Sequence, residues 1–270
     1  MSGIFGRWGR SRQNNGSNGN TGATDTSAPA AAATTPAPAA IAIATAEAPS
    51  APSTSSNGGT PAMAAPFVST MMDFQLTLQH TIARAQVLFG NREVVTNTEA
   101  GPVRTTYGAV FKRVNRLAGA LSRLGVRPGD RVATLGWNTA SHLEAYFAIP
   151  SMGAVLHTLN LRLAPQDIAY IINDAGDSVI LVDSDLVPLL ARIADQLQPV
   201  RYLIVMNGKA QVPDGVTLPP ILDYEELLAA ESESYTWPVL DERQAAAMCY
   251  TSGTTGNPKG VVYSHRSIML

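Results

Sequence analysis

The sequence contains almost no cysteine, and this excludes a disulfide-stabilised fold. Cys249 is the single cysteine among 270 residues, so no disulfide can form within the chain. Such a content is typical of proteins from a reducing compartment, and we expect a cytoplasmic location. Because Cys249 ends an apolar run and no base partner is indicated, we interpret it as a small buried hydrophobic residue rather than a nucleophile.

Charge of one sign and long apolar runs are also scarce. The 19 basic and 21 acidic residues give a net charge of -2, which provides no electrostatic case for a nucleic-acid partner. No stretch reaches the ~18–20 apolar residues of a membrane span, since segment 28–48 is broken by Pro36 and Pro38. His142, His157 and His265 lack zinc-site spacing, so no metal-ligating residue is predicted.

Two kinds of sequence follow one another along the chain. Residues 1–70 are rich in Ala, Thr, Ser, Pro, Gly and Asn and have few large apolar side chains. A segment of this composition cannot bury enough surface to offset its ordering entropy, and we predict a disordered tail. Residues 71–270 carry regular apolar periodicity and form the predicted folded part.

Strand and helix patterns alternate in the folded part, which predicts an α/β fold. A helix is predicted from Leu78 to a stop at Gly90, and a second helix is capped by Thr105 or Thr106. Short strands at 93–96 and 103–105 are predicted to flank a Gly101-Pro102 turn. The remaining predicted elements are strands 131–135, 154–159, 178–183 and 201–206, helices 139–149, 165–175 and 186–197, and a short helix at 224–230. Such alternation favours right-handed βαβ units in a largely parallel sheet covered by helices.

Residues 251–260, called the phosphate loop below, have the composition of a polyphosphate cradle. Glycines allow backbone amides to approach an anion closely. Hydroxyl groups add donors, and Lys259 adds a positive charge. The predicted binding residues are Thr251, Ser252, Gly253, Thr254, Thr255, Gly256 and Lys259, with Lys259 also in a catalytic role.

The phosphate loop differs from the common P-loop. Pro258 separates Gly256 from Lys259, and Gly260 stands where the P-loop has a magnesium-binding Ser or Thr. A solvated surface turn is the alternative interpretation. Three glycines, four hydroxyls and a Pro-Lys-Gly within ten residues favour phosphate binding.

The loop sequence also carries a family resemblance. Y-T-S-G-T-T-G-N-P-K-G at 250–260, with Val261, Ser264 and His265, resembles the signature of AMP-forming adenylating enzymes: acyl-CoA synthetases, adenylation domains of peptide synthetases, and luciferases. L-G-V-R-P-G-D-R-V at 124–132 and G-A-V-L-H-T-L-N-L-R-L at 153–163 resemble the same family, in particular its medium- and long-chain fatty-acid CoA ligases. One departure is Leu161, where many relatives have proline.

The resemblance implies a fatty-acid CoA ligase that uses ATP, Mg2+ and coenzyme A and proceeds through an acyl-adenylate. It implies that residues 71–270 are the N-terminal part of the adenylation domain, truncated after the phosphate loop and inactive alone. Small molecules are the expected partners. The resemblance also leaves open a homodimer and a peripheral membrane contact.

Two other functions stay open from the sequence. The chain could belong to an enzyme that adenylates another carboxylic acid, or it could be a non-catalytic nucleotide-binding module. Asp183 and the pair Trp137-Asn138 follow strands of the predicted sheet, where ligands often gather, but the pattern does not assign them a role. Glu144 is interpreted as a surface or interhelical residue, and Ser264 as the N-cap of a helix that includes His265.

Overall fold

The computed structural model describes residues 69–98, 100–251 and 256–270. A two-stranded antiparallel ribbon, β1 (Glu93–Thr98) and β2 (Gly101–Thr106), lies beside a seven-stranded sheet. The sheet strands are β3 (Arg131–Leu135), β4 (Val155–Thr158), β5 (Asp177–Asp183), β6 (Tyr202–Met206), β7 (Ile221–Asp223), β8 (Ala245–Thr251) and β9 (Lys259–Ser264).

The large sheet is parallel except at one margin. Its strand order is β7-β6-β5-β3-β4-β8-β9, and only β9 runs antiparallel to its neighbour. Parallel neighbours need crossover connections, and the helices provide them. This confirms the predicted α/β fold with a largely parallel sheet.

Helices cover both faces of the sheet. They are α1 (Leu78–Phe89), α2 (Tyr107–Arg123), α3 (Ala140–Ser151), α4 (Pro165–Ala175), α5 (Val187–Ala191), α6 (Tyr224–Ala229) and α7 (His265–Met269). Alternate residues along each buried strand face opposite layers, as a pleated strand requires. Val132 on β3 packs with α1, α2, α3 and α6, whereas the next residue, Ala133, packs with α4 and α5.

The amphipathic pattern of α2 explains its position. Val110, Phe111, Val114, Leu117 and Leu121 are all fully buried, and their spacing places them on one helical face. Thr106 caps the helix, because its hydroxyl oxygen accepts a hydrogen bond from the Ala109 amide at 3.3 Å. Of the two threonines that the sequence allowed as caps, Thr106 therefore takes this role.

Two local predictions are wrong. Gly101 and Pro102 do not form a turn; they begin β2, where proline is tolerated because the two-stranded ribbon leaves its outer edge unpaired. The helix predicted at 186–197 is broken into α5 and two short 3₁₀ turns, Ser184–Leu186 and Ala194–Gln196. Its buried residues Val187, Leu190 and Ile193 are three positions apart, a spacing that suits three residues per turn better than 3.6.

Candidate functional site

The phosphate loop is carried by an antiparallel hairpin. Thr251 ends β8 and Lys259 begins β9, and the two are register partners. The predicted binding residues Ser252, Gly253, Thr254 and Thr255 lie outside the described residues. The paired strand ends fix where the loop leaves the sheet and where it returns.

The described loop residues are open to solvent. Thr251, Gly256 and Lys259 are all exposed. Within the described part of the chain, Lys259 forms no ion pair with an acidic residue. Its ammonium group is therefore not neutralised by a described carboxylate and can attract an anion.

Gly256 has a backbone conformation that favours glycine. Its φ is 98°, and a Cβ atom built on it would meet no atom of the described residues within 4 Å. Open space and a left-handed φ together allow the backbone here to lie close to a ligand without side-chain obstruction.

The hairpin places the loop at the carboxyl end of the parallel strands. β8 pairs in parallel with β4, with Ala247 opposite Leu156 and Met248 opposite His157. Thr251 therefore leaves the sheet at the edge where ligands of open α/β sheets commonly bind. A cavity of about 310 Å3 adjoins it, lined by Asn160, Leu163, Ile171, Tyr250, Thr251 and Pro258.

Tyr250 connects the loop end of the hairpin to the sheet and to α4, a role that the sequence analysis missed. Its hydroxyl donates a hydrogen bond to Asp174 Oδ2 at 2.7 Å. Burial, followed by this hydrogen bond, raises the pKa of Tyr250, so the hydroxyl remains a proton donor at neutral pH. The pairing of Tyr250 with Gly260 across the hairpin could have indicated this role. The sequence alone does not give that pairing, because it depends on the strand register.

A buried histidine–carboxylate pair lies beneath Tyr250. His157 Nδ1 is 2.9 and 2.8 Å from the two carboxylate oxygens of Asp177, and neither side chain is exposed. Burial is the main cause that raises the pKa of Asp177, and the hydrogen bond from His157 opposes it. His157 Nε2 has no hydrogen-bond partner among the described residues. The ring of His157 lies 5.3 Å from that of Tyr250.

The central crevice of the sheet, between β3 and β5, is filled by the protein's own side chains. Asp183 accepts hydrogen bonds from the Trp137 amide at 2.6 Å and from Asn207 Nδ2. Burial is the main cause that raises the pKa of Asp183. His142 bonds the Trp137 carbonyl and the Thr134 hydroxyl. Asp183 and Trp137, whose role the sequence left undecided, therefore hold the loop between β3 and α3.

Of the surface and interhelical roles that the sequence leaves open for Glu144, the structure shows the second, because Glu144 is buried and links three helices. It accepts hydrogen bonds from Arg113 Nε at 2.7 Å and from the Tyr224 hydroxyl at 2.6 Å. Burial is the main cause that raises the pKa of Glu144. This cluster is structural and lies away from the phosphate loop.

The remaining candidates behave as local structure. Ser264 caps α7, accepting a hydrogen bond from the Ser267 amide at 3.1 Å. His265 is fully buried, and Cys249 is half-buried in β8. Among the described residues, no group of three or more His, Cys, Asp or Glu could hold a metal ion.

Known proteins are similar to this chain in sequence and in fold. Residues 83–270 match the family of AMP-binding enzymes. The chain is 53% identical over 205 residues to a long-chain-fatty-acid–CoA ligase from Thermus thermophilus, which covers 76% of this chain and 36% of the relative. It is 42% identical over 206 residues to a medium-chain-fatty-acid–CoA ligase from Ectopseudomonas oleovorans, covering 74% and 37%.

A solved structure has the same fold. The anthranilate CoA ligase AuaEII in complex with anthranoyl-AMP superposes with a TM-score of 0.64 at 23% identity, covering 72% of this chain and 36% of that one. The parallel sheet with its antiparallel marginal hairpin is therefore a fold that this chain shares with that CoA ligase.

The chain belongs to the AMP-binding enzyme family, and the two curated relatives named above are CoA ligases. It spans little more than a third of the length of the curated relatives that it matches. Within the described residues, no helix is both long and apolar enough to cross a membrane.

Proposed function

We propose that the whole protein is an AMP-forming fatty-acid CoA ligase. A fatty-acid carboxylate attacks the α-phosphorus of MgATP, giving an acyl-adenylate and pyrophosphate. The thiol of coenzyme A then attacks the acyl carbon and AMP leaves, forming the thioester. The observation that carries the proposal is 53% identity, across the folded part of the chain, to a long-chain-fatty-acid–CoA ligase.

The phosphate loop would hold the nucleotide during the first step. Negative charge builds on the departing pyrophosphate, so a fixed positive charge and amide donors near the β- and γ-phosphates lower the barrier. We assign this role to Thr251, Ser252, Gly253, Thr254, Thr255, Gly256 and Lys259. The exposed, unpaired position of Lys259 at the start of β9 supports its part in this assignment.

Magnesium enters the proposal with the nucleotide, as part of MgATP. The described residues supply no cluster of metal ligands, and the loop lacks the hydroxyl that follows the lysine in a P-loop. Coenzyme A and the fatty acid are the other substrates. The two relatives named above differ in the chain length that their names give, so a series of acids is needed to define the preferred substrate.

We expect residues 1–270 alone to be inactive. In the family that the chain resembles, the adenine-binding segment, a magnesium-binding glutamate and a C-terminal catalytic lysine follow the phosphate loop in the sequence. These motifs are not among the 270 residues. We further propose that residues 71–270 are the N-terminal part of the adenylation domain and that the protein acts in the cytoplasm.

The test is ATP–pyrophosphate exchange by the whole protein with fatty acids of increasing chain length. Lys259→Ala should lower the exchange rate about 100- to 1000-fold, the range found when one charge-stabilising donor is removed. Lys112→Ala is the matched control, because Lys112 is exposed and pairs only with Glu233 on the surface. Its exchange rate should equal that of the wild type.

Each contrary outcome has a distinct meaning. Exchange that persists in the Lys259→Ala variant would contradict the loop assignment. Exchange with amino or aromatic acids but not with fatty acids would replace the substrate class. Tight ATP binding by the whole protein without exchange would favour a non-catalytic nucleotide-binding module.

A further inference from the structure

Tyr250 immediately precedes the phosphate loop, and its side chain contacts three separate parts of the fold. Its hydroxyl donates to Asp174 near the end of α4 at 2.7 Å. Its ring lies against His157 on β4, with 5.3 Å between ring centroids. Across the hairpin its register partner is Gly260 on β9. One side chain thus joins the outgoing and returning strands of the loop to the body of the domain.

The contact with Gly260 is close. A Cβ atom built on Gly260 would lie 3.1 Å from Tyr250 Cζ and 3.2 Å from Cε2, which is tighter than most real Cβ contacts. The φ of Gly260 lies outside the left-handed region, so the backbone conformation itself would accept alanine. The tyrosine ring occupies the space above residue 260, so any side chain at this position would press against it.

The surface under the ring is formed by a buried, hydrogen-bonded pair of side chains. His157 and Asp177 are fully buried, and Nδ1 of the histidine lies within hydrogen-bond distance of both carboxylate oxygens. Their hydrogen bonding fixes the imidazole plane on which Tyr250 rests. A chain of contacts therefore runs from Asp177 through His157 and Tyr250 to Gly260.

We infer that Tyr250 is a positioning residue: by bonding Asp174 and covering Gly260, it fixes the backbone on which Lys259 is presented to the nucleotide phosphates. The inference rests on the proposed function, since it names what holds the loop in place. Tyr250 acts through Lys259 and does not itself touch the reacting atoms.

The first test separates binding of the nucleotide from binding of the acid. In the whole protein, Tyr250→Phe removes only the hydroxyl, and Asp174→Ala removes its acceptor. Each variant should raise the KM for ATP about tenfold and lower kcat, while the KM for the fatty acid stays unchanged. The double variant should be no worse than either single variant, because both remove the same hydrogen bond.

Tyr263→Phe is the matched control on the same hairpin. Within the described residues, the only hydrogen bond of the Tyr263 hydroxyl is with Cys249 Sγ, at 3.8 Å, so the KM for ATP should not change. A purely structural role for Tyr250 would instead lower the thermal midpoint of Tyr250→Phe and leave its KM for ATP equal to that of the wild type. That result would overturn the inference.

A second test does not depend on enzymatic activity. Gly260→Ala should lower the thermal midpoint because its methyl group clashes with the ring of Tyr250. In a Tyr250→Ala background the same change should cost much less, since the ring is gone. Additive falls in the midpoint would show that the ring does not hold the second strand and would overturn the inference.

The two tests separate failure of this inference from failure of the proposed function. If the wild-type protein showed no ATP–pyrophosphate exchange with any carboxylic acid, the ligase proposal would be contradicted. The thermal midpoints of the Gly260 and Tyr250 variants would still decide whether the ring of Tyr250 holds the second strand of the hairpin. Active protein whose KM for ATP is the same in all variants would leave the ligase proposal intact and overturn the positioning role.

Discussion

Removal of a single buried hydroxyl should measurably loosen the layer of helices on one face of the sheet. Tyr224 is 1% exposed and donates a hydrogen bond to Glu144 Oε2 at 2.6 Å. Burial, as the largest cause, raises the pKa of Tyr224, so the hydroxyl stays protonated at neutral pH. Tyr224→Phe deletes this donor but keeps the ring, so no apolar contact is lost.

The magnitude follows from the partner that remains. Glu144 is also 1% exposed and keeps its hydrogen bond from Arg113 Nε at 2.7 Å. A hydrogen bond to a charged group contributes roughly 1.5–3 kcal/mol. We therefore expect Tyr224→Phe to destabilise the packing of α6 against α2 and α3 by about 2 kcal/mol.

Amide hydrogen exchange of the whole protein is the appropriate assay, because it reports the stability of individual segments. A loss of about 2 kcal/mol corresponds to an increase in exchange of roughly 30-fold in peptides that cover α6. Tyr235→Phe is the matched control, since the half-buried Tyr235 has no hydrogen bond through its hydroxyl within the described residues. Equal protection of α6 in the wild type and in Tyr224→Phe would refute the reasoning.

Two further predictions concern a helix cap and a buried carboxylate. Thr106→Ala should destabilise α2 by about 1 kcal/mol, because the Ala109 amide loses its acceptor; urea unfolding measures this, and Thr106→Ser should retain most of the stability. Because burial raises the folded-state pKa of Asp183 above its ordinary value, the protonated form favours folding. Its contribution is present below the unfolded pKa and is lost as pH rises through the folded pKa, so Asp183→Asn should flatten the fall in stability with rising pH over that window; an unchanged slope would contradict the assignment.

The parts of the fold that could be predicted from sequence are those in which the spacing of apolar residues agrees with the positions of proline and glycine. Strand Arg131–Leu135 and helix Pro165–Ala175 were predicted to the residue. Both have proline or glycine at or near their ends; the strand is buried on both faces, and the helix has one consistent apolar face. The broken helix after Asp183 was not predictable in this way, because buried residues every three positions resemble an ordinary amphipathic helix over a short window.

In the candidate site, too, one part could be predicted from the sequence and another part could not. Composition alone indicated the phosphate loop, because glycines, hydroxyls and a lysine are needed in one short segment whatever the fold. The supports of the loop depend on contacts between residues far apart in sequence. Tyr250 meets Asp174 across 76 positions, and His157 meets Asp177 across a sheet whose strand order no local pattern reveals.

The filled crevice between β3 and β5 has a consequence for how this domain can change over evolutionary time. At the position where doubly wound sheets usually bind a ligand, the Asp183 carboxylate accepts hydrogen bonds from the Trp137 amide and from Asn207. The proposed site lies two strands away, on a marginal hairpin. The hairpin is tied to β4 through the contact of Tyr250 with His157, but substitutions at its exposed residues can accumulate without loosening the central sheet. A domain arranged in this way can vary the exposed residues of its hairpin while its architecture stays constant.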